Sequence, residues 1–160
     1  MTQFVYAFNE GNIAMKDLLG GKGANLSEMK RLGLPVPDGF TITTEACITY
    51  LKQNEELPTE VKTQLIDHLA AFSKRTGKAF SSDDNLLLVS VRSGAKISMP
   101  GMMDTILNLG LNDDNVKKLV DKTNDARFAY DCYRRLLQMF GEVVYGIPMT
   151  AFDLSLIHIS

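Results

Sequence analysis

The sequence predicts an α/β (α+β) fold, because short β-branched segments alternate with longer amphipathic ones along the chain. Apolar residues recur every three or four positions over residues 59–75 and again after Asp125, which is typical of one face of a helix. An apolar run over residues 86–91 ends at Arg92, and a second run begins at Ile106. Two strands joined by a loop explain that arrangement.

Composition limits the classes of function. The chain has 160 residues, of which 45% are hydrophobic and 22% are charged. That composition suits one domain or most of one. The net charge of −2 predicts neither a nucleic-acid nor an anionic-membrane partner, so any anion site must be local. Cys47 and Cys132 form no CxxC motif, no secretory signal opens the chain, and no apolar run is long enough to span a membrane. We therefore expect a soluble, cytoplasmic protein.

The first elements follow from local patterns. Residues 4–8 alternate as a short strand does, and residues 9–12 favour a turn. A loop is predicted through residues 18–23, followed by a helix over residues 24–32. Gly33 can end that helix in the left-handed conformation, with Pro35 and Pro37 as further stops.

The remaining elements are predicted in the same way. A short strand spans residues 40–43, and Thr44 can cap a helix that carries Ala46, Cys47, Tyr50 and Leu51 on one face. The helix over residues 59–75 ends at residues 76–78, and residues 81–85 form a polar loop before the strand. Asp113 and Asp125 can cap two final helices, and Gly146 and Pro148 end the second. That last helix presents an apolar stripe of Phe128, Cys132, Leu136, Met139, Phe140 and Val143.

The segment GGKG at residues 20–23 lies directly before a predicted helix. Its glycines allow close backbone approach, and free N–H groups at a helix start attract anions, to which Lys22 adds a full charge. The Walker A spacing is absent, because Lys16 and Gly23 occupy two positions that it requires. A flexible turn with a solvated lysine is therefore an open alternative.

Arg92, at the end of a strand that the sequence predicts to be buried, is a more specific signal. A buried arginine needs a partner, and its planar fork matches carboxylate or phosphate oxygens. Either an external anion or an internal ion pair satisfies this need. The candidates for the internal pair are Asp83, Asp84 and Asp104.

The segment between the two predicted strands, residues 93–105, offers donors for phosphate or for metal-bound water. These are the Ser98 and Thr105 hydroxyls, Lys96, and backbone amides around Gly94 and Gly101. Met99, Met102 and Met103 make the segment unusually apolar. Two interpretations follow: a lid that covers a nucleotide, or a loop tucked into the core with methionines filling gaps.

Other candidates are weaker. His68 has no serine, cysteine or carboxylate at a spacing that indicates a triad or metal site, so a partly exposed surface histidine is expected. Both cysteines lie on apolar helix faces and are expected in the core rather than as nucleophiles. No metal-binding set of His, Cys and carboxylate residues is visible in the sequence.

Together these residues resemble the N-terminal nucleotide-binding domain of the pyruvate, phosphate dikinases. The resemblance extends to about Phe152 and consists of five blocks in family order, at residues 9–12, 15–29, 33–47, 89–113 and 127–140. The related phosphoenolpyruvate synthases look similar in the glycine–lysine and Val-Arg-Ser segments. They carry an acidic stretch where this chain has residues 98–103, so the dikinase branch is favoured.

The resemblance implies the N-terminal subdomain of an ATP-grasp domain, here incomplete. In that family ATP phosphorylates a histidine on a separate domain, and pyruvate and phosphate become phosphoenolpyruvate and diphosphate, with AMP as the other product. By position, Lys22 and Arg92 match ligands of the ATP phosphates. The lid over them would contribute Ser98, Gly101, Met103 and Thr105.

The same resemblance sets limits. The acidic ligands of Mg²⁺, the phosphorylated histidine and the pyruvate site are expected beyond residue 160, and so is most of the homodimer contact. Residues 153–160 do not resemble the family. We therefore expect this chain alone to be catalytically silent and a weak ATP binder. A non-catalytic nucleotide-binding module, a phosphoenolpyruvate synthase-like phosphotransferase and a purely structural domain are the alternatives.

Overall fold

The computed structural model describes residues 2–80, 84–93 and 105–145, with side chains through residue 143. The described residues form two compact units, residues 2–77 and then residues 78–80, 84–93 and 105–145. The polar loop at residues 81–83, the predicted helix stops Gly146 and Pro148, and the tail at residues 153–160 lie outside this range.

The first unit is built around a two-stranded antiparallel sheet. Strand β1 (Val5–Ala7) pairs with β2 (Phe40–Ile42), so that Val5 lies opposite Ile42 and Ala7 opposite Phe40. Both strands confirm the prediction. The core beside them contains Phe4, Val5, Ala46 and Val61, with Phe40 and Leu57 packed against it.

Helix α1 (Lys16–Arg31) corrects the predicted loop at residues 18–23. Those residues are helical except at Gly20, whose φ of 72° and ψ of 169° interrupt the helix. A loop and a kinked helix share the same glycine signal, and burial of Leu19 and Ala24 favours the helix here. The predicted end is confirmed. Gly33 has φ 78°, its N–H bonds to the Lys30 carbonyl, and the Leu34 N–H bonds to the Met29 carbonyl, as at other glycine-terminated helices.

Helix α2 (Thr44–Lys52) is capped one residue earlier than predicted. The Thr43 side chain, not that of Thr44, accepts a hydrogen bond from the Ala46 N–H. The predicted inner face is correct for Ala46 but wrong for Cys47, which is exposed, and for Leu51, which is 61% exposed. A nine-residue helix on a small sheet can bury only a narrow stripe.

Helix α3 (Thr59–Thr76) confirms its prediction, with Val61 and Phe72 buried and Gly77 in the left-handed conformation at its end. It also binds the N-terminal strand through one side chain. The Gln64 Oε1 accepts from the N–H groups of Phe4 (2.7 Å) and Val5 (3.2 Å), while its Nε2 donates to the Thr2 carbonyl (2.8 Å). Gln64 therefore satisfies part of the edge of β1.

The second unit is a hairpin packed on two helices. Strand β3 (Val89–Arg92) pairs antiparallel with β4 (Thr105–Leu109), as predicted, and β4 packs on α5 (Ala126–Tyr145). Helix α4 (Asn115–Thr123) precedes α5. The core centres on Ile106, Leu111 and Leu136. The expectation that β3 is buried is wrong, since Val91 is 45% exposed and Arg92 is also exposed.

Two predicted features of the helices need correction. Asp113 does not cap α4; its Oδ1 accepts from the Tyr133 hydroxyl (2.6 Å), and the Asn112 Oδ1 accepts from the Asp114 and Asn115 N–H groups instead. The apolar stripe of α5 is buried only in its middle, because Phe128 is 52% and Val143 37% exposed. The Asp125 cap is confirmed, since its Oδ1 accepts from the Phe128 N–H at 2.9 Å, the usual bond of such a cap.

Strand β4 carries one extra residue relative to β3. Val89 lies opposite Leu109 but Val91 lies opposite Ile106, so the register shifts between the two pairs. Asn108 has φ 60° there, and its Nδ2 donates to the Cys132 carbonyl of α5 (3.3 Å). This is a β-bulge, which bends the strand and increases its twist, and the bulge is anchored to the helix beneath it.

Candidate functional site

Lys22 lies directly after the break in α1. Because Gly20 cannot continue the i to i−4 hydrogen-bond ladder, the helix begins again at residue 21, with Lys22 exposed in its new first turn. The first N–H groups of a helix lack intrahelical acceptors, and the helix dipole favours an anion beside them. The helix start that the sequence predicts beside GGKG thus lies inside α1, after the break at Gly20, and anion binding there stays a prediction.

Arg92 and Thr105 are brought together by the hairpin. They are the last pair of the β3–β4 ladder and lie directly opposite each other, one at the end of each strand. Every residue between them belongs to the connecting segment, residues 93–104. The structure therefore places Arg92 where the sequence predicts it, with one predicted lid residue as its cross-strand neighbour.

The described part of the second unit gives Arg92 no carboxylate partner. Within residues 84–93 and 105–145, the Arg92 guanidinium forms no ion pair, and Asp84 instead accepts from Lys122 through its backbone carbonyl (3.4 Å). Asp83 and Asp104, the other candidates for an internal pair, lie outside the described residues. Since Arg92 is exposed, its guanidinium stays hydrated and does not require a protein partner.

Three of the predicted site residues, Ser98, Gly101 and Met103, also lie outside the described residues. Lys22 belongs to the first unit and Arg92 to the second. Their convergence on one set of phosphate oxygens therefore stays a prediction, and so does the closing of residues 98–105 as a lid.

The structure shows one polar cluster that sequence reasoning missed. The His68 Nδ1 lies 2.8 Å from the Gln64 carbonyl oxygen. That oxygen can only accept, so Nδ1 carries the hydrogen. The His68 Nε2 faces the Glu10 Oε1 at 3.4 Å, and Glu10 also accepts from the Ala7 N–H and the Gln3 side chain. Partial burial raises the pKa of Glu10, but these hydrogen bonds and His68 together outweigh it and lower the pKa.

No local sequence signal marks this cluster, because Glu10 and His68 are 58 residues apart and only the fold brings them together. Phe40 lies beside the His68 ring, with centroids 5.8 Å apart. The cluster holds the turn after β1 against α3. Its partners are all internal to the first unit, which favours a structural role over the catalytic one that sequence reasoning also discounted.

The described residues hold neither a metal-binding cluster nor a membrane-spanning helix. No group of three or more His, Cys, Asp or Glu side chains among them is arranged to hold a metal ion. A Mg²⁺ site built from this chain alone therefore finds no support in the described donor set, and metal ligands beyond residue 160 stay a prediction. None of the described helices is long and apolar enough to cross a bilayer.

Comparison with known proteins identifies the class. A family model for the AMP/ATP-binding domain of pyruvate phosphate dikinase matches residues 16–57 and 53–139. The match includes both elements that carry the candidate cations, the restart of α1 and the β3–β4 hairpin. The chain is thus similar over most of its length to a nucleotide-binding domain of phosphotransferases.

The individual relatives agree. Pyruvate, phosphate dikinase of Clostridium symbiosum is 51% identical over 153 residues, which are 96% of this chain and 18% of that protein. The Rhizobium meliloti enzyme is 50% identical over 157 residues, 96% of this chain and 18% of its own length. The chloroplastic enzyme of Flaveria pringlei is 54% identical over 145 residues, 91% of this chain and 15% of its own. The chain belongs to the pyruvate, phosphate dikinase family and spans less than a fifth of these relatives.

Proposed function

We propose that this chain forms the N-terminal part of the ATP site of a pyruvate, phosphate dikinase, with an ATP-grasp fold once complete. Lys22 and Arg92 bind the polyphosphate, and the segment from Ser98 through Gly101 and Met103 to Thr105 covers it. The observation that carries the proposal is the Gly20 break, which supplies a helix start and an exposed lysine together.

Phosphoryl transfer requires chiefly that the reacting groups are held in place and that the charge on the transferring oxygens is neutralised. An ammonium, a guanidinium and backbone N–H groups supply both. Mg²⁺, when bound with ATP, would neutralise further phosphate charge. As the family resemblance implies, we place its ligands beyond residue 160.

The whole reaction needs more than this chain. We assign transfer through a histidine to pyruvate, with phosphate as the second acceptor, to parts of the complete protein outside this chain. We place the protein in the cytoplasm and expect the complete enzyme to be a homodimer. This chain alone binds ATP weakly and does not turn over.

The proposal is tested by titrating the ¹⁵N-labelled chain with ATP and following its ¹H–¹⁵N spectrum, which detects millimolar binding. We expect shifts at the amides of residues 20–24 and 92–93. Lys22→Ala and Arg92→Ala should each weaken the response, while the exposed Lys117→Ala serves as a charge-matched control and should not.

Two outcomes would overturn this assignment. One is a wild-type spectrum that millimolar ATP leaves unchanged. The other is a response that both variants retain in full, because the triphosphate would then be bound elsewhere or not through these cations. Inorganic triphosphate as a second titrant separates recognition of the phosphates from recognition of the base.

A further inference from the structure

The glycine after Lys22 has a role different from the one that the GGKG pattern suggests. Gly23 is buried, has no left-handed φ, and lies inside α1 beyond the break. Its backbone conformation does not require glycine, and within a helix glycine is generally less favourable than alanine. Some other constraint must therefore account for a glycine at this position.

The neighbouring strand supplies that constraint. A Cβ at Gly23 would lie 2.8 Å from the Cγ2 and 3.1 Å from the Oγ1 of Thr41, the central residue of β2. Both distances are shorter than ordinary van der Waals contact. Without a side chain, the backbone of α1 can approach β2 closely, one residue away from Lys22.

A second glycine, in the turn after β1, also packs closely against α1. A Cβ at Gly11, in the turn after β1, would lie 2.6 Å from both the Leu19 Cδ1 and the Ser27 Oγ of α1. In addition, the Thr44 hydroxyl donates to the Asp17 carbonyl in the first turn of α1 (2.7 Å). Helix α1 is therefore held on both sides of the break at Gly20.

From these contacts we infer that Gly23 is a positioning residue for the nucleotide site: it sets the distance from α1 to β2 and thereby the place of Lys22 relative to the triphosphate. The inference rests on the proposed function. Gly23 acts through Lys22 and through the helix start, without a side chain that contacts the ligand. An added methyl group must move either the helix or Thr41. The threonine side chain is short, and its backbone is held in the pair of strands β1 and β2, so it has little room to yield.

The test measures ATP affinity by the same ¹H–¹⁵N titration, at a temperature where circular dichroism shows every variant folded. We expect Gly23→Ala to raise the Kd for ATP about tenfold. The loss of affinity is smaller than for a rigid binding group, because the flexible side chain of Lys22 can compensate for part of the displacement. Thr41→Ala in the same chain removes the two nearest atoms and leaves only the milder contact with the Leu19 Cβ at 3.3 Å. It should restore the Kd to within about twofold of the Thr41→Ala single variant. Should Gly23→Ala not fold, Thr41→Ile adds bulk to the same contact from the strand side and replaces it.

Two further variants separate positioning from general stability. Gly77→Ala makes the same chemical change at the end of α3, where φ is 67° and no atom lies within 4 Å of the added methyl position. It should lower stability and leave the Kd unchanged. In a Lys22→Ala background, Gly23→Ala should have a smaller effect than in the wild type, because the lysine that it positions is gone and only the helix start remains.

An unchanged Kd for Gly23→Ala, a Thr41→Ala change that fails to restore it, or an equal loss in the Lys22→Ala background would each overturn the inference while the wild-type chain still binds ATP. A wild-type chain that does not bind ATP would instead overturn the proposed function, and this inference with it. The two failures are therefore distinguishable.

Discussion

The two units present their candidate cations in opposite ways. In the first, Lys22 lies within a helix that contacts the turn after β1, β2 and α2 through Gly11, Gly23 and the Asp17 carbonyl. In the second, Arg92 is the terminal residue of an exposed strand that pairs with β4. The lysine is positioned by close backbone packing, and the arginine by strand pairing and a bulge.

This difference shows how the position of each side chain is determined. A lysine is a point charge on a flexible stem, so its site depends on where the helix start lies. An arginine binds phosphate through a planar fork, so the orientation of the strand end matters as well as its position. Changes in helix packing should therefore act on the Lys22 region, and changes in strand twist on the Arg92 region.

The largest expected effect follows from removing the charges themselves. In the enzyme completed to the length of its relatives, Arg92→Ala or Lys22→Ala should lower the rate of the ATP half-reaction by about 10² or more, the scale of losing one oriented donor. Rapid-quench measurement of phosphoenzyme formation is the readout, with Lys117→Ala as control. A purely structural domain predicts the reverse for Arg92: reduced stability and unchanged nucleotide affinity.

A second effect should be confined to the first unit. Gln64→Leu removes the acceptor for the Phe4 and Val5 N–H groups. Buried donors left unpaired should destabilise the chain by about 2 kcal/mol. Hydrogen exchange should show the loss of protection at β1 and not at β4. Thr63→Ala, next to Gln64 and exposed, is the matched control, and equal loss in both units would contradict the separation.

The corresponding change in the second unit is Asn108→Ala. Asn108 has φ 60°, and its side chain donates to the Cys132 carbonyl. Left-handed backbone strains alanine, and the lost hydrogen bond adds to that cost, so urea unfolding should show a loss of about 2 kcal/mol. Asn108→Gly keeps the left-handed conformation and should recover part of that loss. A glycine variant less stable than the alanine variant would show that the backbone conformation is not the cause.

The smallest effect concerns acid. Hydrogen bonding to Arg75 is the main cause that lowers the pKa of Asp38, and the cluster around His68 lowers the pKa of Glu10 against the opposing effect of burial. A carboxylate whose pKa is lower in the folded state than in the unfolded state stabilises the fold at pH values above its unfolded-state pKa. That contribution is lost as the pH falls through the folded-state pKa. Below about pH 4 the first unit should therefore lose stability, by at most about 1 kcal/mol from both groups because they are partly exposed.

Glu10→Gln together with Asp38→Asn should flatten this dependence between about pH 4 and 3. Thermal unfolding followed over that range is the measurement. Glu60→Gln, at an exposed carboxylate for which no ion pair is seen in the described residues, is the control and should leave the slope unchanged. A slope that survives in the double variant would assign the acid sensitivity to other groups.

Local chemistry made much of this fold predictable. The ends of α1 and α3 follow from Gly33 and Gly77, because a left-handed residue after a helix favours glycine whatever surrounds it. The hairpin and the position of Arg92 follow from two apolar runs on either side of a polar segment. These signals lie within a few residues of the features that they predict.

The remaining features depend on contacts between distant residues. The glycine pattern predicts a loop at residues 18–23 because it does not show that Gly23 faces Thr41, and no pattern marks the bulge at Asn108, which is anchored by α5. The pair of His68 and Glu10 was missed for the same reason. Such features depend on packing between elements, on which composition and periodicity carry no information.

The pair of Arg92 and Thr105 ends the β3–β4 ladder, and the segment that connects the two strands begins directly after it. Closing a longer connection at the same pair costs little, since each doubling of length adds only about 0.6 kcal/mol. The length of this connection therefore has little influence on the strand pairing that holds Arg92 at the end of the ladder. The covering role that we propose for residues 98–105 should therefore be open to alteration without loss of the pairing that positions Arg92.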